Sequence, residues 1–136
     1  MAEINIRDEV SFDRERVYQT FRDRLAELLP YLPDVEDIQV QDREEVDGNT
    51  LKVVNLWKAK AEEIPRLAQA FVKPEMLRWT DHATWHDQSW SCDWDMEVGF
   101  LKEAITCRGT TRYEEVEPGK TVVTIQGELK VDARKI

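Results

Sequence analysis

Among the residues of this 136-residue sequence that could bind a ligand, the five tryptophans are the most prominent. A tryptophan ring combines a large rigid apolar surface with one N–H donor, and this combination suits an amphipathic small molecule. Plain core packing would use the same rings. Two interpretations, a ligand pocket and a packed core, therefore stay open for Trp57, Trp79, Trp85, Trp90 and Trp94.

Two histidines could hold a metal or move a proton. His82 and His86 are four residues apart, which on a strand separates them by about 13 Å, too far for one ion. A general base would need a neighbouring carboxylate, which Asp81, Asp87 or Asp93 could supply. We expect histidines that face solvent, and we predict no metal site and no cofactor.

The two cysteines, Cys92 and Cys107, have neither metal-ligand spacing nor a histidine at motif spacing. We therefore expect reduced, unreactive thiols. Polar residues on otherwise apolar faces are the remaining candidates, chiefly Asp8 and Asn55. A buried carboxylate or amide needs a partner, so either residue could orient a ligand, although Asp8 could also lie at a frayed strand end. No catalytic residue is predicted.

The net charge of −9 repels phosphate, so we expect no nucleic-acid partner. No apolar run approaches the roughly 20 residues of a membrane span, and we predict no integral membrane segment. The first ten residues carry charges where a signal peptide would be apolar. A cytoplasmic localisation is therefore expected.

The strongest pattern runs from Ser89 to Phe100, where apolar and polar residues alternate with a period of two. This period indicates a strand with one covered face. A shift of one residue would reverse every side chain, so the pattern fixes which ones point inward. The predicted inward residues are Trp90, Cys92, Trp94, Met96, Val98 and Phe100, with Asp93, Asp95 and Glu97 facing water.

The other elements follow from the same periods and from turn residues. An apolar stripe after a candidate N-cap, Ser11 or Asp13, predicts a helix, and consecutive hairpins predict an antiparallel sheet. Glycines 109 and 127 inside strands suggest bends of a strongly curved sheet. The predicted order is a strand Ile4–Val10, a helix Arg14–Leu29, strands from Val35 and over Thr50–Ala61, a short helix near Pro65 within the insertion Glu62–Leu77, and two hairpins, Arg78–Asp87 with Ser89–Phe100 and Ala104–Val116 with Thr121–Asp132.

This α+β order resembles the START-like, or helix-grip, superfamily of lipid-transfer proteins and polyketide cyclases. The resemblance rests on Ile4 to Leu29 and on the strands from Arg78 to Asp132, with segments such as Arg78-Trp79-Thr80 and Ala104 to Thr110. It implies a curved sheet that grips a long C-terminal helix around an apolar cavity. Because the sequence stops at Ile136, we expect a single START-like domain, residues 1–136, that is C-terminally incomplete.

The resemblance and the tryptophans together favour binding or transfer of a hydrophobic small molecule or lipid in an apolar cavity. Two alternatives stay open: a protein-interaction module whose sheet is completed by a partner helix, and an enzyme of the polyketide cyclase or dehydratase kind. A homo-oligomer is a further candidate state. The predicted ligand-binding residues are Asn55, Trp57, Trp90, Cys92, Trp94, Met96 and Tyr113.

Overall fold

A computed structural model describes residues 1–136 of the chain, except for the side chain of Glu63. Seven antiparallel strands form one sheet in the order β1-β7-β6-β5-β4-β3-β2. The sheet is curved and open, as the sequence predicts. The strands are β1 Ala2–Val10, β2 Val35–Asp47, β3 Thr50–Ala59, β4 Arg78–His86, β5 Ser91–Val98, β6 Ile105–Glu117 and β7 Lys120–Val131.

Strands β1 and β2 lie at opposite edges of the sheet, so the connection between them spans the width of the sheet. Helix α1, Arg14–Asp23, packs against β6 and β7, and a 3-10 segment, Leu25–Tyr31, continues to β2. This connection covers part of the concave face. After β7 the described chain holds one short 3-10 turn, Ala133–Lys135.

Helix α1 is shorter than the predicted helix Arg14–Leu29. It begins as expected after Asp13, whose carboxylate accepts a hydrogen bond from the Arg16 N–H at 2.9 Å. It ends where the Arg24 N–H bonds to the Thr20 carbonyl. The backbone of Arg24, with a φ of −131° and a ψ of 31°, is not helical, and it separates α1 from the 3-10 segment that contains Pro30.

The core is built around Tyr18, which is 2% exposed. Its ring makes edge-to-face contacts with Trp85, Trp90 and Tyr113, with ring centroids 5.1 to 5.3 Å apart. Such aromatic pairs add about 0.5–1.5 kcal/mol beyond the area they bury. The Tyr18 hydroxyl donates to Asp87 at 2.8 Å, which ties α1 to the turn between β4 and β5.

Strand β5 confirms the alternation predicted from the sequence. Cys92 is buried and Trp94, Met96 and Val98 are half-buried, while the three intervening acids are exposed. The strand is shorter than predicted at both ends. Trp90 lies in the preceding turn with a φ of 51°, and Phe100 lies beyond the strand with 40% of its surface exposed.

The insertion between β3 and β4 contains a single-turn helix, α2 Arg66–Gln69, between 3-10 turns Ala61–Glu63 and Pro74–Leu77. The predicted short helix near Pro65 is therefore present. Leu67 and Phe71 project from it and are 90% and 81% exposed. No helix in the described part of the chain is long and apolar enough to cross a membrane.

Candidate functional site

An apolar cavity of about 390 Å³ lies on the concave face and is partly open to solvent. The inward residues of β3 to β7 form its floor, and β1, α1 and the segment after α1 form its walls. Its lining residues are Ile4, Ile6, Phe21, Leu25, Leu32, Asn55, Trp57, Asp81, Trp85, Cys92, Trp94, Met96, Cys107, Thr111, Tyr113 and Ile125.

Trp94 lies across the floor over a pair of glycines. Gly109 and Gly127 face each other on β6 and β7, and Gly109 is also the β5 partner of Trp94. A Cβ atom on Gly109 would lie 2.6 Å from the Trp94 ring, so only glycine leaves room for the indole. The Trp94 Nε1–H donates to the Thr111 hydroxyl at 3.0 Å, which fixes the orientation of the ring.

Two polar side chains enter this apolar surface from neighbouring strands. Asn55 on β3 and Asp81 on β4 are directly opposite each other in the register, where Cβ atoms are about 4.5–5.5 Å apart. Asn55 is 5% exposed. Among the described residues, neither the Asn55 Oδ1 atom nor the Asp81 Oδ1 atom has a hydrogen-bond partner, and both are buried.

Burial changes the ionisation of Asp81. The loss of solvation raises the pKa of its carboxyl from 3.8 to about 6, and the neighbouring His82 lowers it only in part. Desolvation disfavours the charged form of an acid, and no cation in the lining offsets the effect. The cavity thus holds one carboxyl group that ionises close to neutral pH.

The other titratable groups of the lining are neutral at physiological pH. Burial raises the pKa of the Cys92 thiol and of the Tyr113 hydroxyl, and burial also raises the pKa of Cys107. Both cysteines are free thiols. A thiol with a raised pKa is a poor nucleophile, so neither cysteine has the environment of a catalytic residue.

Six of the seven predicted ligand-binding residues line the cavity: Asn55, Trp57, Cys92, Trp94, Met96 and Tyr113. Trp90 does not. It packs against the core through Tyr18, and the Arg14 guanidinium lies over its ring at 4.3 Å from the centroid. Because Trp90 belongs to the turn before β5, the alternation of the strand does not apply to it.

Asp8 is exposed on the edge strand β1 and lies away from the cavity. His82 is exposed, and His86 contacts Asp93 at 3.0 Å on the outer face. The residues that the structure describes contain no cluster of histidine, cysteine and acidic side chains suited to a metal ion.

Sequence reasoning missed Asp81 and left Trp85 undecided between pocket and core. The signal was present, since Trp79, Asp81, Ala83 and Trp85 alternate along β4 and share one face. Asp81 was instead considered as a partner for the histidines. Its position opposite Asn55 depends on the pairing of β3 with β4, which a long insertion separates in sequence.

Comparison with known proteins assigns the chain to a family. A family model described as "Protein of unknown function (DUF2505)" matches residues 6–134. The chain belongs to this family. No curated protein matches the sequence. The description of this family names no activity.

The structure resembles the Zhui aromatase/cyclase from Streptomyces sp. R1128 with a TM-score of 0.67 at 12% identity, covering 97% of this chain and 69% of that chain. Norcoclaurine synthase from Thalictrum flavum gives 0.63 at 14% identity, with 98% and 71% covered. A START superfamily protein from Mycobacterium smegmatis gives 0.57 at 10% identity, with 95% and 77% covered. This DUF2505 chain therefore has the START-like, helix-grip fold.

Proposed function

We propose that this protein binds or transfers a hydrophobic small molecule or lipid in the cavity on its concave face. The observation that carries the proposal is the cavity itself. Its volume of about 390 Å³ falls within the roughly 300–1,000 Å³ typical of small-molecule sites. Its lining is mostly aliphatic and aromatic, with a few polar groups that could orient a ligand.

The similar structures are consistent with this proposal. One is an aromatase/cyclase, and norcoclaurine synthase has been solved in complex with dopamine and hydroxybenzaldehyde. Proteins of this fold thus act on or hold small molecules. At 12% and 14% identity the likeness gives the fold alone, and the argument for this chain rests on its own cavity.

A cyclase-like enzyme is the second candidate, and Asp81 is the residue that favours it. A carboxyl group with a pKa of about 6 is suited to general acid–base catalysis near neutral pH. Such chemistry would commonly use a second acid or base. Tyr113 is the other candidate in the lining, but burial raises its pKa, which makes it a weak acid. We therefore rank binding above catalysis.

A partner helix is the third candidate, and the apolar residues outside the cavity favour it. Leu129 and Val131 are 36% and 56% exposed on the concave side. A helix laid along this side would cover them. Such a partner would compete with a small molecule for the same face, so a ligand-binding test also bears on this alternative.

Binding of the neutral apolar dye Nile red tests the proposal. Cys107 lines the cavity on β6, so a Cys107→Phe substitution should fill part of the space and reduce the dye affinity. Thr106→Phe is the matched control, because Thr106 is exposed on the opposite face of the same strand. Equal dye binding by both variants, with unfolding midpoints like that of the wild type, would show that the dye binds elsewhere.

Two expectations from the sequence stay predictions. The cytoplasmic localisation can be checked by fractionating the host cells. A homo-oligomer, or a monomer with a free concave face, can be distinguished by sedimentation of the purified chain.

A further inference from the structure

Four buried polar side-chain atoms of residues that line the cavity have no hydrogen-bond partner among the described residues. They are Asn55 Oδ1, Asp81 Oδ1, Trp57 Nε1 and Trp85 Nε1, and all four residues belong to the lining. Buried polar groups are nearly always satisfied, and each exception requires an explanation. Here the exceptions are concentrated around one cavity, which indicates that a bound molecule or solvent completes their hydrogen bonds.

Asn55 Oδ1 and Asp81 Oδ1 need hydrogen-bond donors, and the Asp81 carboxyl is negatively charged when it is ionised. Among the residues that the structure describes, Asp81 is the only acidic one in the lining, which contains no lysine, arginine or histidine. These residues therefore offer Asp81 no cation inside the cavity. A carboxylate in an apolar site is costly unless an opposite charge pairs with it.

The aromatic rings of the lining also favour a positively charged group on the ligand. Trp57, Trp85, Trp94 and Tyr113 line the cavity together with Asp81. The face of an aromatic ring is electron-rich and attracts a cation, most strongly when both are removed from water. A carboxylate among aromatic rings is thus complementary to an ammonium group and repels a fatty carboxylate.

We propose that the cavity takes an apolar molecule bearing a protonated amine, whose N–H groups donate to Asp81 and Asn55. This inference rests on the proposed function and specifies its ligand class. Asn55 and Asp81 are directly opposed residues of the lining, and one ammonium group offers up to three donors to their side-chain oxygens.

The pH dependence follows from the groups that face Asp81. From β5 and β6 these are Cys92, Cys107 and Tyr113, all of which stay neutral between pH 5 and pH 8 because burial raises their pKa values. Neither β3 nor α1 contributes a charged residue to the lining, and His82, which is exposed on the outer face of β4, lowers the pKa of Asp81 only in part. Ionisation of Asp81 therefore controls the charge of the cavity, and amine binding should strengthen as the pH rises through about 6.

Three ligands with the same alkyl chain test the inference: decylamine, decanol and decanoate. Each is titrated against protein loaded with Nile red, and displacement of the dye is measured at pH 5 and pH 7.5. At pH 7.5 decylamine should bind roughly ten- to a hundredfold more tightly than decanol, as expected for a charge-assisted hydrogen bond. Decanoate should bind most weakly, and the preference for the amine should fall roughly tenfold at pH 5.

An Asp81→Asn variant should lose the preference for decylamine over decanol and the pH dependence of that preference. Asp95→Asn, which removes an exposed carboxylate of β5, is the matched control and should behave like the wild type. Equal affinities for decylamine and decanol, or an unchanged preference in Asp81→Asn, would overturn the amine inference alone. Failure of all three ligands to displace the dye would overturn the proposed function as well.

Discussion

Replacing Asp81 with asparagine should stabilise the ligand-free protein at pH 8. The folded state holds this carboxyl with a pKa of about 6, whereas its ordinary value is 3.8. The folded protein therefore binds the proton more tightly than the unfolded chain does. Stability from this group is present at low pH and is lost as the pH rises from about 4 to above 6. Asparagine has nearly the same shape and cannot ionise, so the variant avoids this loss.

The size of the effect follows from the two pKa values. The difference between 3.8 and about 6, at 1.36 kcal/mol for each pH unit, corresponds to a cost of about 3 kcal/mol for ionised Asp81 at pH 8. The cost should shrink to below about 1 kcal/mol at pH 4, where folded Asp81 is protonated. A residue that lowers stability at neutral pH is typical of a binding site.

Urea unfolding of wild type and Asp81→Asn, followed by tryptophan fluorescence between pH 4 and pH 8, measures this difference. Both proteins should first be unfolded and refolded, so that no bound molecule stabilises either one. Asp95→Asn should show no comparable gain, because Asp95 is exposed. A stability difference that does not grow with pH, or a variant less stable than the wild type at pH 8, would refute the assignment of Asp81 as a desolvated acid.

Three further predictions concern the frame of the cavity. Tyr18→Phe removes the 2.8 Å hydrogen bond to Asp87 and should lower the free energy of unfolding by about 1 kcal/mol in urea; no change would show that the bond contributes nothing. Gly109→Ala places a Cβ atom against the Trp94 ring and should cost about 1–3 kcal/mol, with a shift in tryptophan emission, whereas wild-type stability would mean that the ring moves freely. Cys92, 4% exposed, should react with a thiol reagent slowly in the native state and rapidly in urea; fast native labelling would revive a catalytic role.

The alternation of the sequence predicted the inner face of the sheet because a strand has a fixed period of two. Cys92, Trp94 and Met96 therefore line the cavity as expected. Trp90 also points inward, but it packs against Tyr18 in the core and not in the cavity lining, because its positive φ places it in the turn before β5. Strand ends depend on turn geometry, which the residue types there did not reveal.

The polar part of the cavity was only half predictable. Asn55 was recognised because it interrupts an apolar face within a single strand. Asp81 occupies the equivalent place on β4, but its importance depends on lying opposite Asn55. That register is fixed by tertiary pairing across a long insertion and not by a tight turn. The apolar stripe of the predicted helix Arg14–Leu29 likewise did not indicate that α1 ends at Asp23.

Native mass spectrometry of the protein purified from its own host tests the central claim, a small molecule bound in the concave cavity, most directly. The wild type and the Thr106→Phe variant should each carry one small molecule per chain, which unfolding releases. Cys107→Phe should carry little or none, because its new side chain occupies the cavity. Wild-type protein that is free of any small molecule, or equal occupancy of all three proteins, would contradict the account.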